Sequence, residues 1–186
     1  MNFVSHSDLK DCHAFLGASK HAWINYDEEK LEESYLKALA KQHGTRLHDY
    51  ACESIKLRIK LPDTTKTLNM YVNDAIGYRM TPEQTLFYSF NCFGTADAIS
   101  FNDNLLRIHD LKTGVSPTSF AQLEIYAALF CLEYDVDPNE IDIELRIYQL
   151  NEVRVEIPNP EDILYIMEKI KVFDRRIEQL KEEQRW

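Results

Sequence analysis

No stretch narrows the folds open to this chain more than Gly94 to Gly114, reading GTADAISFNDNLLRIHDLKTG. Its halves, 93–101 and 105–112, carry aromatic and branched apolar residues, and Asn102, Asp103 and Asn104 between them are strong turn formers. The pattern predicts a β-hairpin. Strand side chains alternate faces, which puts Asp110 and Lys112 on one side and Leu111 on the other. A turn centred on Asp103 and Asn104 sets Asp97 opposite Asp110, at a cross-strand separation of about 5–8 Å. Two carboxylates and a lysine then converge.

Such a cluster suits a hard divalent cation. Mg²⁺ takes carboxylate oxygens, keeps several waters and is completed by substrate phosphate oxygens. The ion polarises a phosphoryl group and acidifies a bound water, and a nearby ammonium stabilises developing negative charge. Asp-x-Lys alone arises by chance about once per few hundred residues, so its company has to carry the argument.

That company is Gly94-Thr-Ala-Asp97, then Asp110-Leu-Lys112-Thr-Gly114, then Gln122-Leu-Glu-Ile-Tyr126, preceded by Gly44-Thr-Arg-Leu-His48. In this order the four blocks resemble the PD-(D/E)XK nuclease superfamily, in the branch of the RecB nuclease domain, the CRISPR-adaptation exonucleases and related phage exonucleases. The resemblance covers about residues 40 to 130, with Leu16-Gly-Ala-Ser19 weakly similar to phage members. It implies a restriction-endonuclease-like α/β core, a mixed central sheet flanked by helices. It also implies catalytic roles for Asp97, Asp110 and Lys112, and a Mg²⁺ or Mn²⁺ ion held by His48, Asp97, Asp110 and the Leu111 carbonyl. Gln122 and Tyr126 would face the active site or the DNA backbone. Asp110 stands where many relatives carry Glu, which offers the same ligand atoms.

At 186 residues the chain fits one compact domain. We divide it into an N-terminal helical part (1–60), a catalytic core (67–150) and a C-terminal helix (160–186). No basic segment leads into an apolar run and no window approaches 18 consecutive apolar residues, so the expected location is the cytoplasm, that of a bacterial host if the chain is phage-encoded. Cys12, Cys52, Cys92 and Cys131 lie about 40 residues apart without a Cys-x-x-Cys pair, which argues against a zinc knuckle. Some relatives hold an iron–sulfur cluster on a C-terminal cysteine group. This chain has no cysteine after residue 131, and no such cluster is expected.

The net charge of −10 argues against a nucleic-acid enzyme, whose phosphate contacts call for a basic surface. Its distribution is uneven, however. Residues 1–60 hold nine Lys or Arg against nine Asp or Glu, whereas 133–162 hold ten acids against Arg146 and Arg154 alone. One acidic face away from the site is expected, with DNA held by a limited set of cations and by the bound metal.

Along the rest of the chain, His6, His13 and His21 are spaced too widely for an adjacent pair to chelate, so solvated or packing roles are assigned to them. Trp23 is expected to pack on the core with Lys20 exposed. From Asp27 to about Lys60 the pattern is helical, with acids in the first turn and a break possible at Gly44. His48, Cys52, Ile55 and Ile59 share a face of it, which turns His48 inward, and Glu53 is a weaker second acid. Alternation predicts strands over 67–78 and 85–93, punctuated by Asn73-Asp74 and Pro82. Ser116-Pro117 should cap a helix running to about Glu133 with Gln122 and Tyr126 on one face. Strands over 141–150 and 152–157 precede a helix from Pro160 to about Arg185. Its seam Ile163, Ile166, Ile170, Phe173, Ile177 and Leu180 is expected to dock on its own domain.

The expected function is a metal-dependent deoxyribonuclease, an exonuclease of phage or prophage recombination or repair. Its partner is DNA, with room for a recombination protein, and a monomer is favoured. The alternatives are a non-catalytic DNA- or protein-binding module on the same fold and a structure-selective endonuclease.

Overall fold

A computed structural model describes residues 4–10 and 12–184. The chain divides into two compact units, Met1–His43 and Gly44–Trp186. In the first, short 3-10 turns at Ser7–Leu9 and Ala18–Asn25 precede the start of α1, Glu28–Lys56, whose residues from Gly44 onward belong to the second. Asp27 caps α1, its Oδ1 accepting the Lys30 amide at 2.8 Å, and Glu28 and Glu29 complement the helix dipole in the first turn. Lys20 is exposed as expected, and Trp23 is half-buried with its indole N–H donating to the Gly17 carbonyl at 3.1 Å. His6, His13 and His21 are all exposed.

The second unit is α/β: five strands in spatial order β1-β2-β3-β4-β5, comprising β1 Thr81–Ser89, β2 Cys92–Asn102, β3 Leu105–Leu111, β4 Asp142–Gln149 and β5 Glu152–Glu156. Only β3 and β4 pair in parallel. A parallel pair needs a crossover, and α3, Ala121–Tyr134, supplies it. Asp103 and Asn104 both adopt positive φ (52° and 59°), closing the β2–β3 hairpin with Asn102 opposite Leu105 as the turn chemistry predicted. Leu150 and Asn151 do the same between β4 and β5.

Two apolar cores lie on either side of the sheet. One joins Leu86, Ile99, Leu106, Ile108, Leu145 and Ile147 to α3 and to Ile163, Met167 and Ile170 of α4, Pro160–Glu183. The other joins Ala98, Leu111 and Tyr148 to Ala51 and Ile55 of α1 and to α2, Thr67–Gly77. No helix among the described residues is long and apolar enough to cross a membrane.

Several sequence expectations are corrected here. Residues 67–77 form α2, not a strand: Tyr71, Val72, Ala75 and Ile76 are the buried set, a spacing of one helical face rather than alternation. Asn73 is not punctuation either, since its side-chain amide grips both the amide and the carbonyl of Leu61 at 2.9 Å and pins the preceding loop to α2. The next strand begins at Thr81 and includes Pro82, which an edge strand tolerates. α1 passes unbroken through Gly44 and stops at Lys56, so Ile59 lies beyond it and is exposed. Arg58 (φ 57°) ends it in the left-handed cap pattern, with the Ile59 amide on the Ser54 carbonyl and the Arg58 amide on the Ile55 carbonyl. Ser116-Pro117 caps nothing: α3 starts at Ala121, because the Ser116 carbonyl accepts from Gln149 and the Thr118 carbonyl from Arg154. The α4 seam is buried at Ile163 and Ile170, but Phe173, Ile177 and Leu180 beyond it are exposed.

Candidate metal centre

Three acids on three neighbouring strands share one row of the sheet. The β2–β3 ladder ends at Ala98–His109, so Asp97 falls opposite Asp110 one step beyond it. The β1–β2 ladder runs from Pro82–Ala98 to Gln84–Ala96, so Glu83 falls opposite Asp97. The row is irregular on both sides. Glu83 has φ 52°, and Ala96 and Ile99 lie in the α3-side core while Ala98 between them lies in the α2-side core, so the pleat slips by one at Asp97. In place of a backbone bond, the Asp97 carboxylate accepts the Leu111 amide at 2.9 Å where the two strands part.

On the β3 side, Lys112 reaches back to Asp110, with Nζ 3.0 Å from Oδ1 and 2.9 Å from Oδ2. The ammonium thus straddles both oxygens of the buried carboxylate. Lys112 also donates to Gln122 Oε1 at 2.9 Å, and Gln122 Nε2 donates to the Tyr126 hydroxyl at 3.0 Å. Asp110, Lys112, Gln122 and Tyr126 thus form one hydrogen-bonded chain. The loop between β3 and α3 is anchored by Gln149, whose side-chain amide donates to the Gly114 and Ser116 carbonyls at 2.7 and 2.8 Å.

On the other side, α1 delivers His48, with Nδ1 3.4 Å from Asp97 Oδ2. Two glycines make these approaches possible. A Cβ on Gly44, one helical turn before His48, would lie 2.7 Å from Thr113 Oγ1, and a Cβ on Gly94 would lie 2.8 Å from the Tyr126 ring. Both distances are below any real carbon contact, so the glycines of the two motifs act by close packing rather than by backbone freedom.

The electrostatics follow from this geometry. Burial first, and then the neighbouring Asp110 charge, push the Asp97 carboxyl up to about 6. Burial also raises Asp110 above its ordinary value, against the pull of Lys112 and its hydrogen bond. Next to Asp110, His109 is fully buried and pushed down to about 3, by burial and then by Arg146 and Arg107, so it is a neutral core residue. Its Nδ1 meets the Tyr148 hydroxyl at 3.2 Å, and that hydroxyl lies 2.7 Å from Asp74 Oδ2.

The residues fit a divalent cation on this structure's own terms. Two largely buried acids, both held above their ordinary range by burial and served by one lysine, are relieved by a further positive charge. His48, Glu83 and Asp97 also offer ligand atoms that all lie within 4.8 Å of one another.

Sequence reasoning placed Asp97, Asp110, Lys112, His48, Gln122 and Tyr126, and the structure brings all six into this neighbourhood. The Leu111 amide also engages the site, donating to Asp97 Oδ2. Glu53 is not part of the site; it is exposed and paired with Lys56 at 3.2 Å. Glu83 was missed because Pro82 was read as a break, and counting back from a turn at Phe90 and Asn91 would have set it across from Ala98, since the ladder slips by one between Phe87 and Ser89. Comparison of the chain with protein-family models, with curated proteins and with solved structures returns no match.

Proposed function

We propose that the chain is a cytoplasmic, metal-dependent deoxyribonuclease that hydrolyses DNA phosphodiester bonds, and within that class an exonuclease of phage or prophage recombination or repair. One observation carries the reading: the ammonium of Lys112 is bound to both oxygens of buried Asp110, which lies one step beyond the end of the β2–β3 ladder, at the register position across from Asp97. A buried pair of acids with an adjacent lysine is costly to keep in a fold and has a use where phosphate oxygens and a cation meet.

Asp97 and Asp110 would hold Mg²⁺ or Mn²⁺, with His48 alongside. When bound, the ion polarises the scissile phosphate and supplies a water acidic enough to attack near neutral pH. The chain's own groups do the rest. Asp110 and Gln122 fix the Lys112 ammonium beside the two acids, where its charge would stabilise the attacking water or a phosphate oxygen. Because Gln122 Oε1 accepts from Lys112, its amide must be the donor to Tyr126, so the phenolic proton is turned outward to donate to a phosphate oxygen. The Leu111 amide holds Asp97 in place by a bond it keeps in either charge state.

The test is a time course on end-labelled linear DNA against covalently closed DNA with Mg²⁺. Release of mononucleotides from linear DNA alone is the expected result. Nicking of closed circles would identify an endonuclease on the same site, and binding without cleavage under either metal would identify a non-catalytic module.

A further inference from the structure

We infer that Glu83 is a metal-holding residue, and that with His48 and Asp97 it forms a mixed imidazole and carboxylate seat for a first-row divalent cation, Mn²⁺ in preference to Mg²⁺ or Ca²⁺. The inference deepens the proposed function and rests on its premise that this row of the sheet takes a divalent cation.

Glu83 comes from a strand that none of the sequence motifs touches. Yet Glu83, Asp97 and Asp110 fall at successive register positions across β1, β2 and β3, and the ligand atoms of His48, Glu83 and Asp97 already lie within 4.8 Å of one another. His48 Nδ1 and Asp97 Oδ2 lie 3.4 Å apart, close to the roughly 3 Å between neighbouring ligands of an ion that binds at about 2.1 Å, so an inward turn of the exposed Glu83 side chain is what completes the set. The Glu83 carboxylate is exposed and makes no hydrogen bond or ion pair among the described residues, so nothing has to be broken to recruit it.

A second observation is independent of the acids' mere proximity. The Lys112 ammonium is committed to Asp110, 3.0 and 2.9 Å from its two oxygens, which leaves Asp97, with its side chain 17% exposed, in no ion pair with a lysine or arginine among the described residues. A largely buried carboxylate without a cation of its own is otherwise a standing cost, and a cation held by the trio is the group that removes it. Asp110 itself is held by Lys112 and stands outside the trio, so Asp97 is the acid common to both sides of the row.

The chemistry of the trio sets the preference. Mg²⁺ and Ca²⁺ take all-oxygen shells, whereas an imidazole nitrogen favours later, softer divalent ions, and Mn²⁺ accepts both ligand types. Three ligands from the chain leave the remaining positions of an octahedral ion to water and to phosphate oxygens.

The experiment is a Mn²⁺ titration of the purified full chain without DNA, followed by calorimetry and by the electron paramagnetic resonance signal of free Mn²⁺. The wild type should bind Mn²⁺ more tightly than Mg²⁺, and His48→Gln should narrow that gap. Glu83→Gln, an exposed and nearly isosteric change, should weaken Mn²⁺ by at least about tenfold, and Glu83→Asp should recover part of the loss. Glu83→Gln binding like the wild type while Asp97→Asn loses the ion would overturn the role of Glu83 and leave the proposed function standing. A wild type that binds no Mn²⁺ would overturn both.

Discussion

Gly44 of α1 and Thr113, just past β3, are in contact to the limit of what atoms allow: a Cβ on the glycine would meet Thr113 Oγ1 at 2.7 Å. His48, on the same helix, faces Asp97, and Lys112 adjoins Thr113, so this one contact sets the distance between the two sides of the site. Gly44→Ala improves helix propensity by about 1 kcal/mol, yet the added methyl has to displace either α1 or the loop. We expect a net loss of stability and weakened metal binding. Adding Thr113→Ala removes the obstructing oxygen and should restore both, with the helix gain showing as a higher melting temperature than Gly44→Ala alone. Equal melting temperatures for the single and double variants would show that the contact carries no load.

The second glycine makes a parallel prediction on the opposite side. Gly94→Ala would push the Tyr126 ring, 2.8 Å away, and with it the hydroxyl that receives Gln122. Tyr126→Phe removes the hydroxyl and keeps the ring. If Tyr126 acts through its phenol, both variants should lose about tenfold or more in cleavage rate, while only Gly94→Ala should lose stability. The pair is read by single-turnover rates beside thermal melts.

The chain announced its β2–β3 hairpin because Asp103 and Asn104 are residues that tolerate positive φ, and the two-residue turn then fixed the register that sets Asp97 against Asp110. It announced α1, β4, β5 and α4 through long periodic segments. It concealed α2, because Leu68, Met70 and Val72 mimic a strand alternation while burial follows Tyr71, Val72, Ala75 and Ile76. It concealed Glu83 for a different reason. The residue matters through its partner across a strand pair, and that register depends on a turn at Phe90 and Asn91 which carries no strong turn dipeptide. The glycines were visible as motif letters, but their reason, a tertiary contact with Thr113 or Tyr126, exists only in three dimensions.

Asp97 makes the ion-free protein's stability depend on pH in a stated direction. Burial and Asp110 raise its carboxyl from an ordinary 3.8 to about 6, so between those values the folded chain holds a proton that the unfolded chain has released. Its contribution is therefore fully present below about pH 4 and is lost as pH rises through about 6, a change on the order of 3 kcal/mol. Asp97→Asn keeps an oxygen to accept the Leu111 amide and cannot ionise. In chelator the variant should melt above the wild type at pH 7.5, and the gap should close at pH 4.5. A gap that stays constant with pH would mean that the Asp97 charge is not strained in the fold.

Lys112 separates catalysis from ion binding. Its ammonium lowers the Asp110 carboxyl and competes for the same oxygens that a cation needs, so its removal frees Asp110 for the ion while leaving the scissile phosphate without a cationic neighbour. In alkaline solution Lys112→Ala should hold Mn²⁺ at least as well as the wild type. As pH falls its affinity should drop more steeply than that of the wild type, because Asp110 without Lys112 takes up a proton more readily. Cleavage should drop roughly 10²-fold or more, the scale for losing one transition-state donor. Calcium should occupy the site in both proteins without supporting turnover, since its longer and looser coordination positions water poorly. Binding and cleavage falling together in Lys112→Ala would make the lysine a structural clamp on Asp110 and remove it from the chemistry.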